Sequence, residues 1–258
     1  MASVHPSAIV EPGAVLGADV TVGPYAIIGA QVRIGDRTRI GSHTILEGLT
    51  EIGTDCLVGS HVVIGSPPQD LKYNGEPTRV VFEDGVIIRE FASVHRASVG
   101  GTGITRVGRQ AYLMAYVHVA HDCQIGPHVV MANQASLAGH VEIGPYANIG
   151  GMTGIHQFVR IGEYAFIGAC SAVLQDIPPY VKAQGNRAKP FGLNVVGLRR
   201  QGFSHAALQA LKEAYRIVFM SDRNTSQALA ELEAGGAALP EVQPFIDFIK
   251  RSRRGIGK

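Results

Sequence analysis

Aliphatic residues recur at every sixth position through two long stretches of this chain. Counting by six from Val10 meets Leu16, Val22, Ile28, Ile34, Ile40, Leu46, Ile52, Val58 and Ile64, and counting from Val107 stays aliphatic to Val173. A short middle run, Phe82, Ile88 and Val94, keeps the spacing. Glycine usually follows, as at Gly17, Gly23 and Gly29, and a small side chain stands four places after the aliphatic one, as at Ala14, Val20 and Ala26. A period of six is neither the 3.6 of a helix nor the two of a half-buried strand. It fits very short strands joined by tight corners, each hexad turning one large and one small residue inward. Coils then stack by backbone hydrogen bonds about 4.8 Å apart.

These columns resemble the repeats of the hexapeptide-repeat acyltransferases. The resemblance covers residues 1–190 and implies an all-β solenoid, a left-handed parallel β-helix with three hexads per coil. Two breaks interrupt the repeat: an excursion at 66–80, SPPQDLKYNGEPTRV, and a one-residue slip that places a smaller insertion near 98–104. Extra residues leave a solenoid as surface loops, and such loops often border a binding site. From residue 191 to 258 the pattern predicts a helical domain. Ser204 is placed to cap a helix over 203–220, Thr225 to cap one over 225–234, and Pro240 to stand in the first turn of one over 240–254.

Composition narrows the class. With 46% hydrophobic and 17% charged residues, the chain can bury a core and is neither disordered nor dominated by charge. Its net charge of +2 gives no bulk reason to expect nucleic acid. The first residues, MASVHPSAIV, lack the parts of a signal peptide, and no apolar run is long enough to span a membrane. Cys56, Cys123 and Cys170 have neither disulfide nor metal spacing, which suits a cytoplasmic protein. From Gly192 onward ten Lys and Arg face six Asp and Glu, so positive charge concentrates in the tail. That tail, IKRSRRGIGK, reads either as a docking patch for an acidic partner or as a frayed terminus.

The stretch AYVHVAHDCQIG carries the most chemistry. On a three-hexad coil, Val117, Val119, Cys123 and Ile125 point inward, leaving His118, His121 and Asp122 for the surface. Residues 18 apart stack, so Gly139 and Gln157 lie along the column of His121, His140 lies over Asp122, and His156 joins the same edge. Three readings compete for this gathering: idle polar side chains on a solenoid edge, a zinc site, and a histidine base. Zinc needs ligands converging at about 2.0–2.1 Å, which an outward strand and a corner do not readily supply. A histidine is ordinarily neutral yet basic near pH 7, and bare backbone at Gly139 could hold an oxyanion. Asp122 could orient His121 or pair with His140.

Three segments, QDLKYNGEPTR (69–79), VHVAHDC (117–123) and GNRAKPFGLNVVGLRRQGF (185–203), resemble the UDP-N-acetylglucosamine O-acyltransferase family. The resemblance spans the chain. It implies transfer of an (R)-3-hydroxyacyl group from acyl carrier protein to the 3-hydroxyl of UDP-N-acetylglucosamine, the first step of lipid A synthesis. It also implies a cytoplasmic homotrimer with active sites between subunits and no metal or cofactor. On matching positions, His121 is the general base, Gly139 the backbone oxyanion donor and Asp122 a supporting residue. Asp70, Lys72, His95, His118, His140, His156 and Gln157 match positions that bind sugar, phosphates or donor, and Asn194 and Arg200 match nucleotide contacts. Val196 stands where the family often has glutamate, and Ala169 stands at the acyl-chain ruler, a glycine in the longest-chain forms. The extra methyl predicts a slightly shorter chain. Alternatives are an acyltransferase of the same solenoid acting on another sugar nucleotide, a zinc carbonic anhydrase and a non-catalytic scaffold.

Overall fold

The computed structural model describes residues 1–234 and 240–257. Residues 235–239 and Lys258, within the expected helical segment and its tail, lie outside the described residues. Strands mostly of two residues run from Ser3–Val4 to Ala172–Val173, with tight corners between them. Every third strand pairs in parallel, giving three sheets that form the faces of a left-handed prism. Both inward columns are buried: Ile28, Leu46, Leu113 and Ile167 for the large residues, and Val20, Ala26, Val117 and Ala165 for the small ones. Each fully buried Val, Leu or Ile of these columns stabilises the stack by about 1.5–3 kcal/mol.

The corners have one recurrent feature. Their second residue adopts a positive φ, near 60° at His43, His61, Tyr116, Asp122 and His140. This left-handed conformation costs an L-residue about 1–2 kcal/mol. Two contacts offset it: the residue's N–H usually donates to the coil before, as His61 does to Ser42 O at 2.9 Å, and aromatic rings stack along the edge. Tyr25, His43, His61, Phe91 and Tyr116 form one such column, with ring centroids 4.7–5.0 Å apart.

Both breaks in the repeat leave the prism as loops, with limits that differ from expectation. Strands Val63–Ser66 and Arg79–Phe82 extend into the expected excursion, because Val80 fills the small inward column and is fully buried. The loop proper is 67–78. At the second break Ser93 pairs with His118, 25 residues on, whereas later coils pair at 18, as His118 with Ser136. The one-residue slip is thus the trace of a seven-residue insertion, one hexad and one residue more.

The outward faces differ in character. The sheet containing Glu51–Ile52 and Arg106–Val107 carries ion pairs: Arg79 with Glu51, Arg106 with Glu83 and Arg160 with Glu142. The other two present apolar side chains, among them Ile9 and Ile27 on one and Leu57, Ile87 and Phe166 on the other.

After the hairpin of Val181–Gln184 and Lys189–Leu193 the described residues form four helices: α1 (Val195–Arg200), α2 (His205–Phe219), α3 (Thr225–Ala234) and α4 (Val242–Lys250). Ser204 caps α2, its Oγ accepting from Ala207 N. Two expected helix starts move. Asn224, not Thr225, caps α3, since its Oδ1 accepts from Gln227 N at 2.9 Å. Pro240 precedes α4 rather than opening it, and Glu241 stands at the cap. Helix α1 is six residues long, too short for a periodicity to reveal. No helix among the described residues is long and apolar enough to cross a membrane.

Candidate active site

His118 lies on the outer face of the strand His118–Val119, and His121 and Asp122 occupy the corner that follows. The corner turns because Asp122 adopts φ +61°, which swings its side chain beneath His121 instead of away from it. His121 Nδ1 is 2.8 Å from Asp122 Oδ2, whereas His140 Nε2 is 3.9 Å from the same oxygen. The structure therefore pairs Asp122 with His121. It also corrects the expected exposure of Asp122, which is only 3% exposed. The inserted loop covers it: Ser98 donates to Oδ2 from its amide at 3.0 Å and from its hydroxyl at 2.8 Å.

Gly139 sits against the His121 ring. A Cβ at 139 would lie 2.5 Å from His121 Cε1, so only glycine admits this approach. At a few corners the amide of the first residue is taken by a neighbouring acid: Ala18 N donates to Asp36, Ala30 N to Glu11 and Arg109 N to Glu83. The Gly139 amide has no such acceptor among the described residues. A free donor thus stands beside a histidine.

The neighbouring histidines form two groups. His95 and His118 meet edge to face at 5.3 Å, with His118 Nδ1 on Ser93 Oγ and His95 Nδ1 donating to Pro67 O. Burial, then His95, holds the His118 imidazolium range below its usual value, so this ring is neutral near pH 7. His140 meets His121 edge to face at 5.1 Å and stacks on Phe158 at 4.4 Å. Burial lowers its pKa against the opposing charges of Asp122 and Asp70, which places the excursion loop within electrostatic reach of this edge. Asp70 itself accepts from Lys72 N at 3.0 Å, and Arg96 ties the loop down through Tyr73 Oη and Gly65 O. His156 and Gln157 are exposed on the same corner column.

The remaining expected residues lie elsewhere. Asn194 spends its side chain on structure: Oδ1 caps α1 at Gly197 N, and Nδ2 donates to Tyr164 O. Arg200 is exposed at the end of α1 and joins none of the polar contacts of the His121 edge within this chain. Ala169 is exposed at another corner, in the coil of Ala172–Val173. The basic tail is folded down rather than frayed. Ser252 bonds Asp176 and Arg254 bonds Leu174 O, and a groove of about 940 Å³ runs from Asp122 and His140 to Lys250, Arg251, Arg253 and Arg254.

His121, Asp122 and His140 could present ligand atoms within 4.8 Å of one another, a set that leaves out His118. Two of these atoms are already paired, His121 Nδ1 with Asp122 Oδ2, which also accepts twice from Ser98, while Asp122 Oδ1 is buried without a partner among the described residues. The arrangement suits proton transfer: an oriented imidazole, a buried carboxylate behind it and a free amide in front. Ser98 and Thr105 were not legible as parts of it. Each reaches Asp122 across more than a dozen residues, and only the GGTG slip marked the neighbourhood.

The chain is similar to known proteins over nearly its whole length. A family profile described as Udp N-acetylglucosamine O-acyltransferase, Domain 2, matches residues 176–257, and bacterial transferase hexapeptide repeats match 1–36, 13–48 and 104–139. LpxA from Acinetobacter baumannii is 42% identical with a TM-score of 0.96 over 99% of each chain. A UDP-N-acetylglucosamine acyltransferase from Campylobacter jejuni is 38% identical with a TM-score of 0.94, again over 99% of each chain. LpxA from Bacteroides fragilis is 38% identical with a TM-score of 0.96, over 98% of this chain and 99% of that one. At 38–42% identity over nearly the full length of these structures, the chain belongs to the UDP-N-acetylglucosamine O-acyltransferase family.

Proposed function

We propose that this enzyme transfers an (R)-3-hydroxyacyl group from acyl carrier protein to the 3-hydroxyl of UDP-N-acetylglucosamine, opening lipid A synthesis in the cytoplasm. The observation that carries the reading is the hydrogen bond from His121 to buried Asp122, with the free Gly139 amide beside the same ring. With Nδ1–H donating to Asp122, His121 Nε2 takes the proton of the sugar hydroxyl as that oxygen attacks the thioester carbonyl. The oxyanion that forms accepts from Gly139 N–H. Collapse expels the carrier thiolate, which recovers the proton from His121, and neither a metal nor a cofactor enters. Asp70, Lys72, His95, His118, His140, His156 and Gln157 surround the reactants, and Arg200 serves the diphosphate. Asn194 acts by shaping the helix that carries Arg200.

The two apolar outer faces against one charged face favour a homotrimer of prisms whose clefts complete the site. Below His118 the outward column is small: Ser136, Gly154 and Ala172 stack in register. Nothing lies within 4 Å of where a Cβ of Gly154 would point. The acyl chain would follow this lane for three rungs, about 14 Å, to the coil of Ala169. Ala169→Gly should shift kcat/KM toward longer donors by about fourfold per added methylene. A panel of carrier thioesters checks this, and an unchanged length preference refutes Ala169 as the ruler.

Carrier docking would use the basic wall of the groove. Arg253, exposed and without a charged partner among the described residues, is the cleanest probe there, since Arg251 and Arg254 also bond backbone carbonyls. Arg253→Ala should raise the KM for the acyl carrier several-fold and flatten its dependence on salt, leaving the KM for the sugar nucleotide unchanged. The function itself is tested by mass spectrometry after incubation with UDP-N-acetylglucosamine and mixed hydroxyacyl carriers. A 3-O-acylated sugar nucleotide is expected; transfer only to an amino sugar, or none, overturns the reading.

A further inference from the structure

The corner at Asp122 departs from most corners of the prism in one respect. At most of them the positive-φ residue donates its amide to the backbone carbonyl of the coil before, as His140 N does to His121 O. At Asp122 the inserted loop displaces that carbonyl, and the amide donates instead to Thr105 Oγ1 at 2.9 Å, a fully buried hydroxyl. The loop also brings Ser98, 4% exposed, onto the carboxylate with two donors. On the other side Gly101 closes over it: a Cβ there would lie 2.3 Å from Asp122 Oδ1 and 2.9 Å from His140 Cε1. Gln124 Nε2, donating to Ile104 O at 2.7 Å, ties the outgoing leg of the loop to the coil beneath.

The Ser98 amide can only donate, so Asp122 Oδ2 is an acceptor on that side. A bare Nδ1 facing the same oxygen would set lone pair against lone pair, so His121 carries its proton on Nδ1 and keeps Nε2 free. We infer that Ser98 is a positioning residue for the acyl transfer: held by the inserted loop, it pins Asp122 and thereby the orientation and tautomer of His121. Gly101 completes the clamp by letting backbone close where any side chain would push the carboxylate aside. The seven added residues of this coil are therefore part of the catalytic apparatus and not a tolerated surface insertion. This deepens the general-base reading of His121 and rests on it.

The test is a set of steady-state measurements on the full-length enzyme. Ser98→Ala removes the hydroxyl and keeps the amide. It should lower kcat about 10- to 100-fold, the rate equivalent of one hydrogen bond to a charged group, with the KM of the sugar nucleotide within about twofold. Ser98→Thr should restore kcat to within about threefold. In an Asp122→Asn background, Ser98→Ala should cost nothing further, because the two act through one path. Gly101→Ala approaches the carboxylate from the opposite side and should lower kcat similarly. A wild-type kcat in Ser98→Ala, a loss confined to KM, or equal losses in both backgrounds overturns the inference. Should His121→Ala retain activity, the base reading itself fails; should His121→Ala be dead while Ser98→Ala is normal, only the role of Ser98 fails.

Discussion

Replacing His121 with alanine is expected to lower kcat by about 10²- to 10⁴-fold, the range supplied by a positioned general base. The loss should fall on kcat, because the ring acts on the proton that moves during attack rather than on substrate affinity. The fold should not suffer. His121 is an outward corner residue, and the core beside it is carried by Val119, Cys123 and Leu137, all buried. Assembly state and thermal midpoint should match the parent protein. Residual activity above a tenth of the parent value would remove His121 from the role of base, and a mass-spectrometric end-point assay is sensitive enough to decide it.

Gly139→Ala should produce a loss nearly as large, about 10²-fold in kcat, by displacing the same ring. The glycine does not stand at a positive φ, so alanine is allowed by its backbone, and the amide survives the substitution. What changes is space. The new Cβ would lie 2.5 Å from His121 Cε1 and 2.6 Å from Nε2, well inside contact distance. The ring must swing away from the amide it stands beside, which separates base from oxyanion donor by a fraction of an ångström or more. A crystal structure of the variant should show the His121 ring rotated and its bond to Asp122 lengthened. Normal turnover with an unmoved ring would mean that the close approach has no catalytic role.

These two residues were visible early for different reasons. His121 stood out because a strict period of six assigns Val119 and Cys123 to the inside, which leaves the residues between them outside or at a corner. Gly139 stood out because residues 18 apart stack. Both arguments are local rules repeated many times, and repetition makes each rung a check on the next. Asn194 has a structural role that its motif does not announce. It occupies a position matched to a nucleotide contact, yet its carboxamide is engaged by Gly197 N and Tyr164 O. The Oδ1 and Nδ2 atoms each keep one further hydrogen-bonding position for a ligand, and no sequence pattern reveals the structural commitment of the other two.

The sequence by itself determined the solenoid, the two breaks in it and the edge on which the histidines gather. It could do so because the inward columns are set by burial, and burial recurs at fixed spacing whatever the corners contain. Only the tertiary structure decided the environment of Asp122. Consecutive side chains diverge on a strand, so pairing with His121 looked no better than pairing with His140 until the positive φ of the corner brought the carboxylate under the first ring. Its burial was likewise invisible, since it depends on Ser98 and Gly101 arriving from an insertion whose path over the corner is set by long-range contacts, and on Thr105 in the strand after it. Periodicity specifies what repeats, and this site is built where the repeat is broken.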